Sequence, residues 1–208
     1  MSDYTRLEEW INAMTHYAGV VLGLVGLGAL LVHSARLGNK GYMIGSVVFC
    51  LSIVILYAMS GTYHILNGGR IKKIFKILDH SAIYILIAGS YTPYLLGAFQ
   101  GNTRWTLFAI QWGLTFLGII FKIFFVGRFG VLSTIIYLLM GWMVAFVFKD
   151  LELLITPLSL KLLIWGGVSY TVGVIFYAMK NIRFAHGIWH LFVLGGTFFN
   201  YFSVYYML

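Results

Sequence analysis

Seven apolar runs, each close to the ~20 residues that cross a bilayer as a helix, fill almost the whole chain. They fall at 15–36, 42–66, 74–98, 105–125, 130–149, 158–179 and 184–206. Short breaks such as LGNKG, NGGRIKK, QGNTR and VGRFG separate them. In hydrocarbon each backbone N–H and C=O must be satisfied inside its own segment, so runs of this length predict helices. Only 10% of the 208 residues are charged, against about 25% in soluble domains, which leaves no stretch for a separate soluble unit. The expected fold is an all-α integral membrane protein, with a seven-transmembrane helix bundle over 15–208. Residues 1–14 form a short N-terminal segment ahead of it. Within that segment Leu7, Trp10, Ile11 and Met14 share one side, which suggests an interfacial helix. Pro157 suits the first turn of the sixth helix, and Pro93 should kink or end the third.

The net charge of +8 does not point to nucleic acid, because the basic residues sit between apolar runs, where they act as orientation signals. Nine fall on one side: Arg6, then Arg70, Lys72, Lys73 and Lys76, then Lys122 and Arg128, then Lys180 and Arg183. Five fall on the other: Arg36, Lys40, Arg104, Lys149 and Lys161. This bias predicts a cytoplasmic N-terminus and an extracytoplasmic C-terminus. The single cysteine, Cys50, lies within an apolar run and excludes both a disulfide framework and a cysteine-based metal site. MSDYTRLEEW carries acids and no apolar core, so it does not read as a signal peptide. No internal repeat is strong enough to suggest an inverted-repeat transporter.

Connectivity sorts the polar residues by depth. His64 ends the second helix, Asp79 and His80 open the third, His186 and His190 open the seventh, and His16 opens the first. All lie at the same end of the bundle, and of the six histidines only His33 lies at the opposite end. His186 and His190, spaced i, i+4 in FAHGIWHLFVLGG, share a helical face and make a ready chelate. With His64 they form three imidazoles at one depth with a fourth position open, the ligand set of a catalytic zinc site.

Each residue also has a blander role. A histidine in a span can simply hydrogen-bond between helices or face the headgroups. Ser60, one turn before His64, can orient a ligand or water, or can bond its own backbone. Asp79, the only acid inside a span, can take a proton from water at the metal, or can cap the third helix near Lys76. His80 points about 100° away from Asp79 around the helix and is not expected at the same centre. Glu9, Asn12 and His16 are spaced as one helical face and suggest a supporting or interfacial network. The seventh run has no lysine for a retinal Schiff base. An i, i+4 pair suits a small ion better than haem, and spans four to six lack the polar face of a water-filled pore.

These motifs resemble the bacterial hemolysin III family, within the wider superfamily of progestin and adiponectin receptors and alkaline ceramidases. The elements are Glu9-x2-Asn12-x2-Thr15-His16-x2-Gly19, Ser60-x3-His64, Asp79-His80-x3-Tyr84 running on to Ala88-Gly89-x-Tyr91-Thr92-Pro93, and His186-x3-His190-x2-Val193. The resemblance covers nearly the whole chain. It implies seven helices with a cytoplasmic N-terminus, zinc held by His64, His186 and His190, and Asp79 contacting a zinc-held water beside Ser60. The implied reaction is hydrolysis of a lipid amide such as ceramide. The function expected on both grounds is a zinc-dependent intramembrane hydrolase of lipid amides or esters serving membrane lipid homeostasis, its acyl substrate entering between helices from the inner leaflet. Two alternatives stand beside it. One is a lipid sensor or receptor with structural zinc, and the other is a membrane-permeabilising haemolysin.

Overall fold

The first helix begins on a reciprocal cap. Glu8 N–H donates to Thr5 Oγ1 at 3.3 Å, while Thr5 N–H donates to Glu8 Oε2 at 2.9 Å. In the computed structural model, which describes residues 4–179 and 181–208, α1 then runs unbroken over Arg6–Leu37 until Gly38 ends it in the left-handed conformation. This corrects the expectation of a separate interfacial helix, since the residues 6–14 are the opening turns of the first span. Residues 1–3 of the N-terminal segment, and Lys180 among the counted basic residues, lie outside the described residues.

The remaining helices are α2 (Lys40–Ile65), α3 (Gly69–Gly97), α4 (Gly101–Phe125), α5 (Gly130–Gly141), α6 (Phe148–Leu154), α7 (Pro157–Ala178) and α8 (Ala185–Tyr205). Asn39 caps α2 by accepting from Tyr42 N–H, and Thr156 caps α7 with Pro157 in its first turn. The fifth span is not one helix. Between α5 and α6, residues 142–147 tighten into a 3-10 turn. The cause is Tyr91 of α3, whose hydroxyl donates to Gly141 O at 2.6 Å and accepts from Val144 N–H at 2.9 Å, entering the ladder where it breaks. Pro93 does not end α3, which continues to Gly97. The helix is held there by close packing on α2, where Gly45 lies directly against the Pro93 backbone and Ser52 against Gly89.

The bundle exposes large apolar side chains and buries many polar ones beside its apolar core. Val131, Phe124, Leu22 and Phe146 are exposed, whereas Gln111, Thr115, Asn12, Ser159 and Lys122 are buried. Tyrosine hydroxyls join the helices across the interior: Tyr42 to Val204 O at 2.8 Å, Tyr57 to Thr197 Oγ1 at 2.7 Å, and Tyr94 to Ser203 Oγ at 2.6 Å. Five segments are long and apolar enough to cross a membrane: α1, α2, α4, α5 through α6, and α7. The other two long helices, α3 and α8, are those that carry Asp79, His80, His186 and His190. Cys50 is buried and free.

Because a side chain at Gly45 would meet backbone rather than a mobile side chain, Gly45→Leu should cost about 1–3 kcal/mol. Gly28, exposed with open space around it, should accept leucine without loss. Thermal unfolding of the two variants in detergent checks the pair, and equal melting would refute close α2–α3 packing at Gly45.

Candidate metal centre

Two helices bring three imidazoles into register at the end where α1 begins. His64, in the last turn of α2, and His186 and His190, in the first turns of α8, each present a ring nitrogen, all within 4.8 Å of one another. His64 Nε2 lies 3.3 Å from His186 Nε2. Phe184 stands in the left-handed conformation and carries the chain sharply from the preceding loop into α8. His64 and His190 are both buried.

The far side of two of the rings is fixed. His64 Nδ1–H donates to Glu9 Oε2 at 2.6 Å, and Glu9 Oε1 accepts from Lys72 Nζ at 2.7 Å. His190 Nδ1 lies 3.1 Å from the Asn12 carbonyl and 3.3 Å from Thr15 Oγ1. A carbonyl can only accept, so the His190 proton sits on Nδ1 and its Nε2 offers a lone pair. The Glu9 carboxylate imposes the same tautomer on His64. Bare Nε2 lone pairs gathered this closely repel unless a cation or a proton lies among them. The donor set therefore fits a metal ion, with carboxylate and carbonyl orienting its ligands from behind.

The other expected residues divide. His16 stacks on His190, with ring centroids 3.6 Å apart and planes 12° from parallel. Glu9 and Asn12 hold ligands directly, which makes the expected supporting network a set of specific bonds. Asp79 and Ser60 are not among the clustered donors but line the cavity that the cluster borders. His80 corrects its expectation in part. It is absent from the histidine cluster, yet its Nδ1 lies 3.0 Å from Asp79 Oδ2. Tyr84 is remote: it is buried between α3, α4 and α5 against Tyr137, and Gly118 leaves room for its ring. His33 lies at the opposite end, stacked on Tyr205.

Sequence reading missed the part played by Lys72, which was counted only as an orientation charge, and by Thr15 and Tyr4. The Tyr4 ring lies 4.9 Å from that of His186. Thr15 was visible within the first motif, and the Thr5-x2-Glu8 capping signature could have revealed that α1 reaches back this far. Nothing in the sequence pairs Lys72 with Glu9 across 63 residues.

The cavity beside the cluster measures about 810 Å³. His186, His190, His16, Asp79 and Ser60 meet it at one end, and Tyr94, Leu95, Phe99 and Leu151 meet it toward the other. Such a volume lies within the ~300–1,000 Å³ typical of sites for small organic ligands.

The fold and the histidine cluster define a multi-pass membrane protein with a site able to bind a metal ion inside the bundle. Residues 4–201 match the family described as haemolysin-III related, and the chain belongs to that family, as a protein of the bacterial cell membrane. It is 44% identical to the hemolysin-3 homolog of Bacillus subtilis (strain 168), over 97% of this chain and 94% of that one. It is likewise 44% identical to hemolysin-3 of Bacillus cereus, over 95% of this chain and 90% of the relative. More distantly, it is 28% identical to the human monocyte to macrophage differentiation factor, over 96% of this chain and 84% of that protein. No solved structure matches it.

Since Glu9 both orients His64 and sets its tautomer, Glu9→Gln should weaken metal binding by about 10–100-fold with the fold retained. Lys72→Met should weaken it less, because the carboxylate keeps His64. Competition with a chelator of known affinity measures both, and unaltered affinity in Glu9→Gln would remove the carboxylate from the site.

Proposed function

We infer that the protein is a zinc-dependent intramembrane hydrolase of lipid amides or esters that adjusts membrane lipid composition. The observation that carries this reading is the opening of a three-imidazole cluster onto a largely apolar cavity that also exposes a carboxylate and a serine hydroxyl. Zinc suits a neutral three-histidine set with a position left open, and His64, His186 and His190 would hold it. When bound, it supplies a Lewis acid that polarises a carbonyl and makes nearby water more acidic.

The chain's own residues do the rest. Asp79 accepts the proton of a water that attacks the acyl carbon, and passes it to the leaving amine or alkoxide. His80, 3.0 Å from its carboxylate, keeps Asp79 oriented for that exchange. Ser60, on the same helical face as His64, donates its hydroxyl to the oxygen on which charge develops. Glu9 and the Asn12 carbonyl hold the ligand tautomers through the cycle. The apolar wall at Leu95, Phe99 and Leu151 receives an acyl chain and excludes bulk water. Membrane lipids entering from the inner leaflet are the substrate pool, given the orientation read from the basic residues.

A second reading is a lipid sensor in which the metal only braces α2 against α8, and the burial of His64 and His190 favours it. Membrane permeabilisation draws support from the names of the two Bacillus relatives. Against it, the buried face of α7 is Ser159, Gly166 and Gly173, and the polar residues on the buried face of α4, Gln111, Thr115 and Lys122, are each bonded within the bundle.

Purified protein should carry close to one zinc per chain, and His186→Ala with His190→Ala should abolish it; zinc retained at full stoichiometry in that double variant would end the assignment. Asp79→Asn should keep the metal and lower hydrolysis of a responsive lipid amide by about 10²–10⁴-fold. Unchanged turnover would favour the sensor. A reporter fused after Leu208 should read as extracytoplasmic and one placed near Gly69 as cytoplasmic; the reverse would move the site to the outer leaflet.

A further inference from the structure

The cavity has a second charged feature, on α4 beyond Tyr137. Lys122, in the last turn of α4, is 2% exposed and lines the cavity. Its ammonium has three N–H donors, and one goes to Ser133 Oγ at 2.6 Å. Ser133 Oγ in turn donates to Phe129 O, so it meets Lys122 as an acceptor only. The Phe121 and Tyr137 rings stand 5.9 and 5.7 Å from Nζ. A buried ammonium with one neutral partner is costly and calls for an anion.

Asp79, across the same cavity, is the one acid that acts on Lys122 through space, and no carboxylate among the described residues is hydrogen-bonded to it. Glu8 is bonded to Thr5 and to Phe184 N–H, Glu9 to His64 and Lys72, and Asp79 to His80. Asp150 and Glu152 lie on α6, at the other end of the bundle. Lys76 and Arg128 also line the cavity near Lys122, and Gly127, in the left-handed conformation, leaves its backbone open beside Lys76 Nζ. Three cations thus border a space in which Asp79 is the lone acid, already engaged by His80.

We propose that Lys122, with Lys76 and Arg128, binds the anionic headgroup of a membrane lipid whose acyl chain lies along the apolar length of the same cavity. A point-charge lysine assisted by a half-buried lysine and an exposed arginine suits a phosphate or carboxylate arriving from the membrane surface. The chain would then run past Tyr91 and Leu95 toward Phe99. This site shares its cavity with the proposed hydrolysis but does not need the metal, so the two readings fail separately.

Native mass spectrometry of the protein in detergent, titrated with lysophosphatidylglycerol, lysophosphatidylcholine or inorganic phosphate, tests it. The anionic lipid should bind about 10–100-fold tighter than the zwitterionic one, and Lys122→Met should remove that preference while leaving metal content unchanged. The preference should survive stripping of metal by chelator. If Lys122→Met does not fold, Lys76→Met with Arg128→Met should reduce the preference several-fold. Equal binding of the two lipids by the unaltered protein overturns the proposal, as does a preference that persists in the folded variants or disappears with the metal. Displacement of the lipid by inorganic phosphate overturns a lipid headgroup as the occupant.

Discussion

Glu8 and Glu9, neighbours in the first turn of α1, fasten together the helices that make the site. Glu9 takes His64 of α2 and Lys72 of α3 on its two oxygens, and Glu8 accepts the N–H of Phe184 at the entrance to α8. One turn of helix thereby ties the N-terminus to three others, all at the level where the imidazoles meet. In an apolar surrounding each of these bonds is stronger than it would be in water, and each partner is costly to leave alone. The position of the histidines depends on this tie more than on any apolar contact, because apolar packing alone does not discriminate one ring orientation from another.

Packing contributes in a different way. The α1, α2 and α3 helices approach closely, and α7 lies against α8, through small residues at the crossing points such as Gly45 against Pro93 and Gly173 against Trp189 and Phe192. The α5 and α6 segments touch the remainder more sparingly, and the cavity occupies the space left between them and α3, α7 and α8. Tight helices thus hold the histidines while looser ones leave room for a ligand. The break in the fifth span belongs to the same design, since Tyr91 bonds into it from within the cavity wall.

The chemistry of the cavity is graded from one side to the other. Two histidines fixed in one tautomer stand near a carboxylate, and an ammonium with spare donors borders the same space from α4. Between and above them the lining is aliphatic and aromatic. A metal ion, a polar head and an acyl chain would each find there the surroundings they prefer, as the proposed amphiphilic substrate requires.

The membrane class, the number of helical segments and the shared depth of His64, Asp79, His186 and His190 followed from sequence alone. Hydropathy and chain connectivity are local or one-dimensional properties, and depth in a bundle of spanning helices depends on little else. The i, i+4 spacing of His186 and His190 likewise needs only helix geometry. Tertiary structure decided what depends on approach between distant residues: the Lys72–Glu9–His64 chain, the stacking of His16 on His190, the contact of His80 with Asp79, and the break that Tyr91 imposes on the fifth span. It also exiled Tyr84 from the site and gave Lys122, which reads in sequence as one more orienting charge, a buried place on the cavity wall. A periodic pattern states which face of a helix a residue occupies. Which other helix that face meets is decided only when the bundle closes.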